Sequence, residues 1–123
     1  MYTLDTNAII YFLKDDERAV NILKEIFDQN QIIYISTITE VELFGFSDIR
    51  TEEISRIDAI LKTLAIIPLD SHIARTAGFL RRFYKTQTAD SVIAATALFT
   101  GTTLLTRNTR DFKNIPDLAL RPL

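Results

Sequence analysis

A short apolar run near the first quarter of the chain limits the fold more than any other feature. Residues 32–35 read Ile-Ile-Tyr-Ile without a polar interruption, a pattern typical of a strand that is buried on both faces of a parallel sheet. The flanking segments, 16–30 and 37–46, carry apolar residues at helical spacing. Because neighbouring parallel strands are joined by crossover connections that usually contain a helix, the run predicts a parallel sheet with helices on both faces.

The rest of the chain repeats this alternation of short apolar runs and helical patterns, which favours an α/β fold with a mostly parallel central sheet. With only three glycines and three prolines, the chain offers no linker, and its length suits one domain over residues 1–123. We expect strands at 2–5, 31–36, 65–69, 102–106 and 118–121, and helices at about 8–13, 16–30, 37–46, 51–64, 71–85 and 88–100.

Composition excludes several classes of protein. The chain has no cysteine, which rules out a disulfide scaffold and a cysteine-based metal site and suits a reducing cytoplasm. No apolar run is long enough to span a membrane and no signal peptide is evident, so a cytoplasmic protein without membrane contact is expected. The 14 basic and 16 acidic side chains leave a net charge of −2, whereas passive nucleic-acid binders are usually basic.

Four acidic residues are expected near the carboxyl ends of the strands, where ligands bind in parallel α/β sheets. Asp5 follows the first strand, and Asp111 follows the strand at 102–106 after a polar turn at 107–110. Glu42 shares a helical face with apolar neighbours, whereas Glu40 points elsewhere and is the better candidate for solvent exposure. Taken alone, Asp5 is equally well suited to capping a helix. Asp111 taken alone could be an ordinary loop acid.

Asp90 is the most informative of the four acids. Positions 90, 93, 94, 97 and 98 form one helical face, and every position below Asp90 on that face is apolar. A carboxylate that only stabilises a helix dipole has no need to face inward. A cluster of converging acids is tolerable when it binds a hard cation, and oxygen ligands suit Mg²⁺ or Mn²⁺ better than Zn²⁺. Mg²⁺ in such a setting supports phosphate-ester chemistry.

Four motifs in order along the chain resemble the PIN-domain family, in particular the VapC-like ribonuclease toxins of prokaryotic toxin–antitoxin modules. They are Leu-Asp-Thr-Asn at 4–7, a Ser-to-Glu spacing of six residues within 35–43, Asp-x-x-Ile-Ala-Ala-x-Ala within 89–98, and Thr-Arg-Asn-x-x-Asp-Phe within 105–112. The helix motif is the most specific of them. The resemblance extends over essentially the whole chain.

The resemblance implies a three-layer α/β/α sandwich, metal-dependent endonuclease activity on RNA, and control by a cognate antitoxin, with a homodimer expected. It assigns metal binding and water activation to the four acids, with Asp5 and Asp90 as the direct ligands. Supporting or phosphate-contacting roles are expected for Thr6 and Asn108. The cations beside the fourth acid, Arg107 and Arg110, are further candidates for contacts with phosphates.

Two other classes of function remain open from the residues alone. A magnesium-dependent phosphatase or a phosphoacceptor module also places aspartates at strand ends. The phosphatase pattern needs a second aspartate where Asn7 stands, and the phosphoacceptor pattern needs a lysine near 102–106, where there is none. A binding module without catalysis is the other alternative. The single histidine, His72, lies outside the four motifs and is expected to be an ordinary surface residue.

Overall fold

The computed structural model describes residues 1–45 and 49–123. In these residues five strands form one sheet in the order β3-β2-β1-β4-β5, and every neighbouring pair is parallel. The strands are β1 (Tyr2–Leu4), β2 (Ile33–Ser36), β3 (Ala65–Ile67), β4 (Thr103–Thr106) and β5 (Leu120–Pro122). The helices are α1 (Thr6–Leu13), α2 (Glu17–Asp28), α3 (Thr37–Phe44), α4 (Thr51–Leu61), α5 (Ser71–Tyr84), α6 (Thr88–Thr100) and α7 (Thr109–Phe112).

Both faces of the sheet are covered, as the continuous apolar strands predict. Successive side chains of β4 point to opposite faces, and both Leu104 and Leu105 are fully buried. Leu105 packs in the cluster that contains α1, α2 and α4, whereas Leu104 packs in the cluster that contains α5 and α6. The protein is therefore a three-layer α/β/α sandwich, and the predicted fold class is confirmed.

Local capping sets the starts and ends of several helices. The side chains of Asp16 and Asp70 accept hydrogen bonds from Ala19 N and Ile73 N, and so satisfy amides in the first turns of α2 and α5. Gly101 ends α6 with a φ of 64°, a left-handed conformation that glycine adopts without steric cost. The cap at Asp70 and the stop at Gly101 agree with the helices predicted at 71–85 and 88–100.

Four predictions of local structure were wrong. The expected polar turn before Asp111 leads into a short helix, α7, which contains Asp111 itself. The edge strand lies later in the chain than predicted and includes Pro122. An edge strand tolerates proline because no strand on its outer side needs the backbone N–H that proline lacks. Ile32 lies outside the strand and is 49% exposed. The helix predicted at 37–46 ends at Phe44, and Phe46 lies outside the described residues.

No helix in the described part of the chain has the length and apolar character needed to cross a membrane.

Candidate active site

The four acids stand on elements that meet at the carboxyl edge of the sheet. Asp5 directly follows β1, which lies between β2 and β4. Glu42 is in α3, directly after β2, and Asp111 is in α7, after β4. Asp90 is in the first turn of α6. Only two residues separate the end of α6 from the start of β4, so the last turn of α6 lies at the amino edge of the sheet. Its first turn, with Asp90, therefore lies at the carboxyl edge, where β4 ends.

Asp5 is held by two protein donors. Its Oδ2 accepts a 2.7 Å hydrogen bond from the hydroxyl of Thr106, and its Oδ1 accepts one of 3.2 Å from the backbone amide of Asn7. The second bond makes Asp5 the N-cap of α1, so the capping interpretation is correct, and its role in an acid cluster stays a prediction. The residue is only 4% exposed, which leaves its carboxylate little rotational freedom.

Glu42 is oriented from the neighbouring helix. The hydroxyl of Thr6 donates a 2.6 Å hydrogen bond to Glu42 Oε1 and lies 3.1 Å from the hydroxyl of Thr39. Thr6 and Thr39 are both buried. Glu40 and Glu42 are both partly exposed, so the expected contrast in exposure between the two glutamates is absent, and what distinguishes Glu42 is its bond to Thr6.

Asp111 is the most exposed of the four acids, and Asn108 holds it. Asn108 Nδ2 donates a 2.5 Å hydrogen bond to Asp111 Oδ2. The backbone amide of Asn108 in turn donates to the hydroxyl of Thr106 at 2.9 Å. A chain of hydrogen bonds therefore runs from Asp111 through Asn108 and Thr106 to Asp5.

The other three acids contribute to the electrostatic environment of Asp90. Burial raises the pKa of Asp90 to about 6, and the negative charges of Asp5, Asp111 and Glu42 add to the rise. Each of these causes disfavours the charged form of Asp90. A half-buried acid with such neighbours gains from a cation that neutralises them.

The donor set fits a hard divalent ion. The site offers carboxylate oxygens, which Mg²⁺ accepts as ligands, and hydroxyl and amide groups that hydrogen-bond to these carboxylates. Mg²⁺ commonly binds only one or two protein carboxylates and fills its other coordination positions with water. Within residues 1–45 and 49–123, no three acidic, histidine or cysteine side chains are arranged to hold a metal ion by themselves. The predicted metal-ligand set of four acids therefore stays a prediction.

The two arginines beside the fourth acid differ in their contacts. The guanidinium of Arg107 forms a two-point ion pair with Asp16, donates to the carbonyl of Leu123 at 3.1 Å, and stacks 4.0 Å from the ring of Tyr11. The ion pair lowers the pKa of Asp16 to about 2. These contacts give Arg107 a structural role that its sequence position did not reveal. Arg110 is exposed, and its expected contact with phosphate stays a prediction.

Thr106 is the residue at this site that sequence reasoning missed. It is fully buried and directly bonded to Asp5. The rule that directed attention to acids at strand ends applies equally to hydroxyl groups, and Thr106 is the last residue of β4. His72, in contrast, is exposed at the start of α5 and lies against Phe99, in the last turn of α6, with the ring centres 5.8 Å apart.

The chain is similar to known proteins over nearly its whole length. The family profile of the PIN domain matches residues 2–118, a range that contains all four acids. The chain belongs to the PIN-domain family. A curated relative, "Ribonuclease VapC2" from Rickettsia felis, is 31% identical over 128 residues, which cover 98% of this chain and 96% of the relative.

Two solved structures have the same fold. VapBC2 from Rickettsia felis, solved bound to a DNA fragment from its promoter, superposes with a TM-score of 0.85 and 30% identity over 99% of this chain and 98% of the matched chain. A toxin–antitoxin complex from Klebsiella pneumoniae gives a TM-score of 0.80 and 30% identity over 97% and 96%. PIN-domain membership thus favours the nuclease interpretation over the phosphatase and phosphoacceptor alternatives.

Proposed function

We propose that this PIN-domain protein is a Mg²⁺- or Mn²⁺-dependent endoribonuclease, the toxin of a toxin–antitoxin module, which hydrolyses RNA phosphodiester bonds in the cytoplasm. The observation that carries the proposal is the closeness of four acids. The negative charges of Asp5, Glu42 and Asp111 add to the rise in the pKa of Asp90 that burial causes. The names of its relatives support the substrate, since the Rickettsia protein is called a ribonuclease.

The chain's own residues divide the work of the site. Asp5 and Asp90 are the direct ligands, one fixed by two donors and the other half-buried among like charges. Glu42, held by Thr6, and Asp111, held by Asn108, orient water at the edges of the site. Asp5 and Asp90 would hold a Mg²⁺ ion, and the ion would supply positive charge to neutralise a phosphate oxygen and to activate water. Arg110 is the proposed contact for a substrate phosphate.

Water is the proposed nucleophile, and no covalent intermediate forms. General-base work requires direct reach to the reacting water, and His72 is on the exposed start of α5, against Phe99. The hydroxyl groups that touch the acids are engaged in hydrogen bonds: Thr6 donates to Glu42 and Thr106 donates to Asp5. Both are therefore supporting groups and not nucleophiles in this proposal.

An antitoxin protein and a second copy of the chain are the proposed partners. The Klebsiella relative was solved as a toxin–antitoxin complex. Large apolar side chains remain on the surface, among them Val41, Phe83 and Phe99 at 65%, 58% and 54% exposure, which supports protein contacts. A cavity of about 500 Å³ between α1 and α4 reaches Leu43, the neighbour of Glu42, and is lined by apolar side chains together with the charged residues Lys14, Arg50, Glu53 and Arg56. It suits an amphipathic antitoxin segment.

The activity is tested with purified protein and a mixed RNA pool, incubated with Mg²⁺ or with excess EDTA, followed by mapping of the cut ends. Cleavage is expected with Mg²⁺ only, and Asp5→Asn should abolish it. His72→Ala is the matched control and should keep the wild-type rate. Undiminished cleavage in EDTA would contradict the proposed chemistry. Release of phosphate from a phosphomonoester without RNA cleavage would favour the phosphatase alternative.

The partners are tested separately. Light scattering of the purified protein should give the mass of a dimer at micromolar concentration, and a strict monomer would contradict that part of the proposal. Co-expression with the product of the neighbouring gene should yield a complex in which RNA cleavage is blocked. A neighbouring product that neither binds nor inhibits would contradict assignment to a toxin–antitoxin module.

A further inference from the structure

We propose that Thr106 is a positioning residue whose single hydroxyl sets the geometry of Asp5 and of the turn that carries Asn108 and Asp111. This inference rests on the proposed metal-dependent nuclease. It assigns Thr106 no contact with RNA or with the ion. Its effect passes through two acids that stand on different parts of the chain.

The hydroxyl of Thr106 has both its roles in use. It donates to Asp5 Oδ2 at 2.7 Å and accepts from the backbone amide of Asn108 at 2.9 Å. A hydroxyl has one proton, and the amide of Asn108 occupies the acceptor side, so the proton of Thr106 is directed to Asp5. Because the residue is fully buried, water is not available to replace either partner.

The sheet register brings the hydroxyl to Asp5. Leu4 of β1 pairs with Leu105 of β4, so the next residues along each strand, Asp5 and Thr106, meet at the carboxyl edge. The amide of Asn7 supplies the second donor to Asp5. Each carboxylate oxygen thus has one protein donor and keeps a free lone pair. The two donors fix the plane of the Asp5 carboxylate, and so the directions in which its remaining lone pairs could bind an ion.

The same hydroxyl sets the position of the fourth acid. Anchoring the amide of Asn108 fixes the backbone just before α7, and the side chain of Asn108 then holds Asp111 Oδ2 at 2.5 Å. Loss of the Thr106 hydroxyl would free both ends of this chain of bonds. Removal of a group that hydrogen-bonds to a metal-ligating side chain typically changes metal affinity or activity by about 10–100-fold.

The test compares Thr106→Val, which keeps the shape and removes the hydroxyl, with Thr106→Ser, which restores it. Thr102→Val is the matched control. Thr102 is a buried threonine bonded to Thr3 at 2.6 Å and Thr100 at 3.0 Å, just before β4 begins at the opposite edge of the sheet. The readouts are Mn²⁺ affinity, measured as free Mn²⁺ by electron paramagnetic resonance, and the kcat and KM of RNA cleavage.

Thr106→Val is expected to weaken Mn²⁺ binding and lower kcat by about 10-fold or more, with a smaller change in KM. Thr106→Ser should stay close to the wild type, and Thr102→Val should lose stability but keep Mn²⁺ affinity. In a double-mutant cycle, Asp111→Asn should cost less in the Thr106→Val background than in the wild type, since the two residues act along one chain of bonds.

The outcomes separate this inference from the function on which it rests. A wild type that neither binds Mn²⁺ nor cleaves RNA overturns the proposed function. A wild type that does both, with Thr106→Val within twofold of it, overturns the inference alone. If Thr106→Val does not fold, amide exchange of the wild type decides: the Asn108 amide should exchange slowly and shift when Mg²⁺ is added, and fast exchange without a shift overturns the positioning role.

Discussion

The hydroxyl of Thr6 donates a 2.6 Å hydrogen bond to Oε1 of Glu42, although the two residues are 36 positions apart in the chain. The bond joins the first turn of α1 to the last half of α3, and the hydroxyl of Thr39 lies 3.1 Å from the same oxygen of Thr6. Glu42 is only partly exposed. Its carboxylate therefore reaches the candidate site already oriented by a neutral donor.

The first prediction concerns that bond. Thr6→Val should lower kcat of RNA cleavage by about 10–100-fold, the usual effect of removing a group that orients a ligand, while Thr6→Ser should keep most of the activity. The measurement is steady-state cleavage of one mapped RNA site under saturating Mg²⁺. Equal activity of the Val and Ser variants would show that Glu42 does not depend on Thr6.

The second prediction concerns crowding of the acids. Asp90→Asn removes one charge from a cluster in which Asp5, Asp111 and Glu42 disfavour that charge. The metal-free variant should therefore melt higher than the metal-free wild type, by a few degrees for a domain of this size. Mg²⁺ should stabilise the wild type by linkage, and this gain should shrink in Asp90→Asn and in Asp5→Asn, together with cleavage.

Thermal melting in EDTA and in Mg²⁺ checks this second prediction, with Asp28→Asn as the control. Asp28 is an exposed acid at the end of α2, and its substitution should leave the response to Mg²⁺ unchanged. If Asp90→Asn and Asp5→Asn both melt below the wild type in EDTA, and all variants respond equally to Mg²⁺, the acids do not share one site.

The third prediction concerns pH. In the folded metal-free protein the pKa of Asp90 is about 6, against 3.8 for the ordinary side chain. Below pH 3.8 the residue is protonated in both states and costs nothing. Between these values the folded state binds more protons, so the free energy of unfolding should fall as pH rises and level off above pH 6. Partial exposure reduces the expected loss to about 1–2 kcal/mol.

The measurement for this third prediction is the difference in stability between the wild type and Asp90→Asn from pH 4.5 to 7, without metal. The difference isolates Asp90 from other acids such as Asp16, whose lowered pKa acts with the opposite sign at lower pH. The advantage of Asp90→Asn should grow with pH. A difference that stays constant across this range would mean that Asp90 does not titrate within it.

The fourth prediction separates the two arginines near Asp111. Arg107→Ala should lower the melting temperature by a few degrees, because it removes the contacts with Asp16, Tyr11 and Leu123. Arg110→Ala should leave the melting temperature unchanged, weaken RNA binding, and reduce the salt dependence of binding by about one phosphate contact. Thermal melting checks the stability of both variants. RNA affinity is measured at several salt concentrations with both substitutions placed in the inactive Asp5→Asn variant. Equal loss of RNA affinity in the two variants would contradict the division of roles.

Much of the architecture is legible in the amino-acid sequence, because it depends on local periodicity. The apolar run at 32–35 predicts a buried parallel strand, and the helical spacing at 71–85 and 88–100 predicts two helices close to their observed limits. The rule that ligands meet the carboxyl ends of parallel strands directs attention to Asp5 and Asp111 before any coordinates are known. The order of the four motifs already pointed to the PIN-domain family, which the matched profile confirms.

The partners of the site residues were decided only by the tertiary structure. Thr106 bonds to Asp5 across 101 positions and Arg107 to Asp16 across 91, and neither pairing leaves a periodic signal in the sequence. Such contacts follow from strand order and register, since β1 lies beside β4 in the sheet although they are far apart in the chain. The sequence therefore determined which residue types stand at the edge of the sheet, and the register determined which of them hold one another.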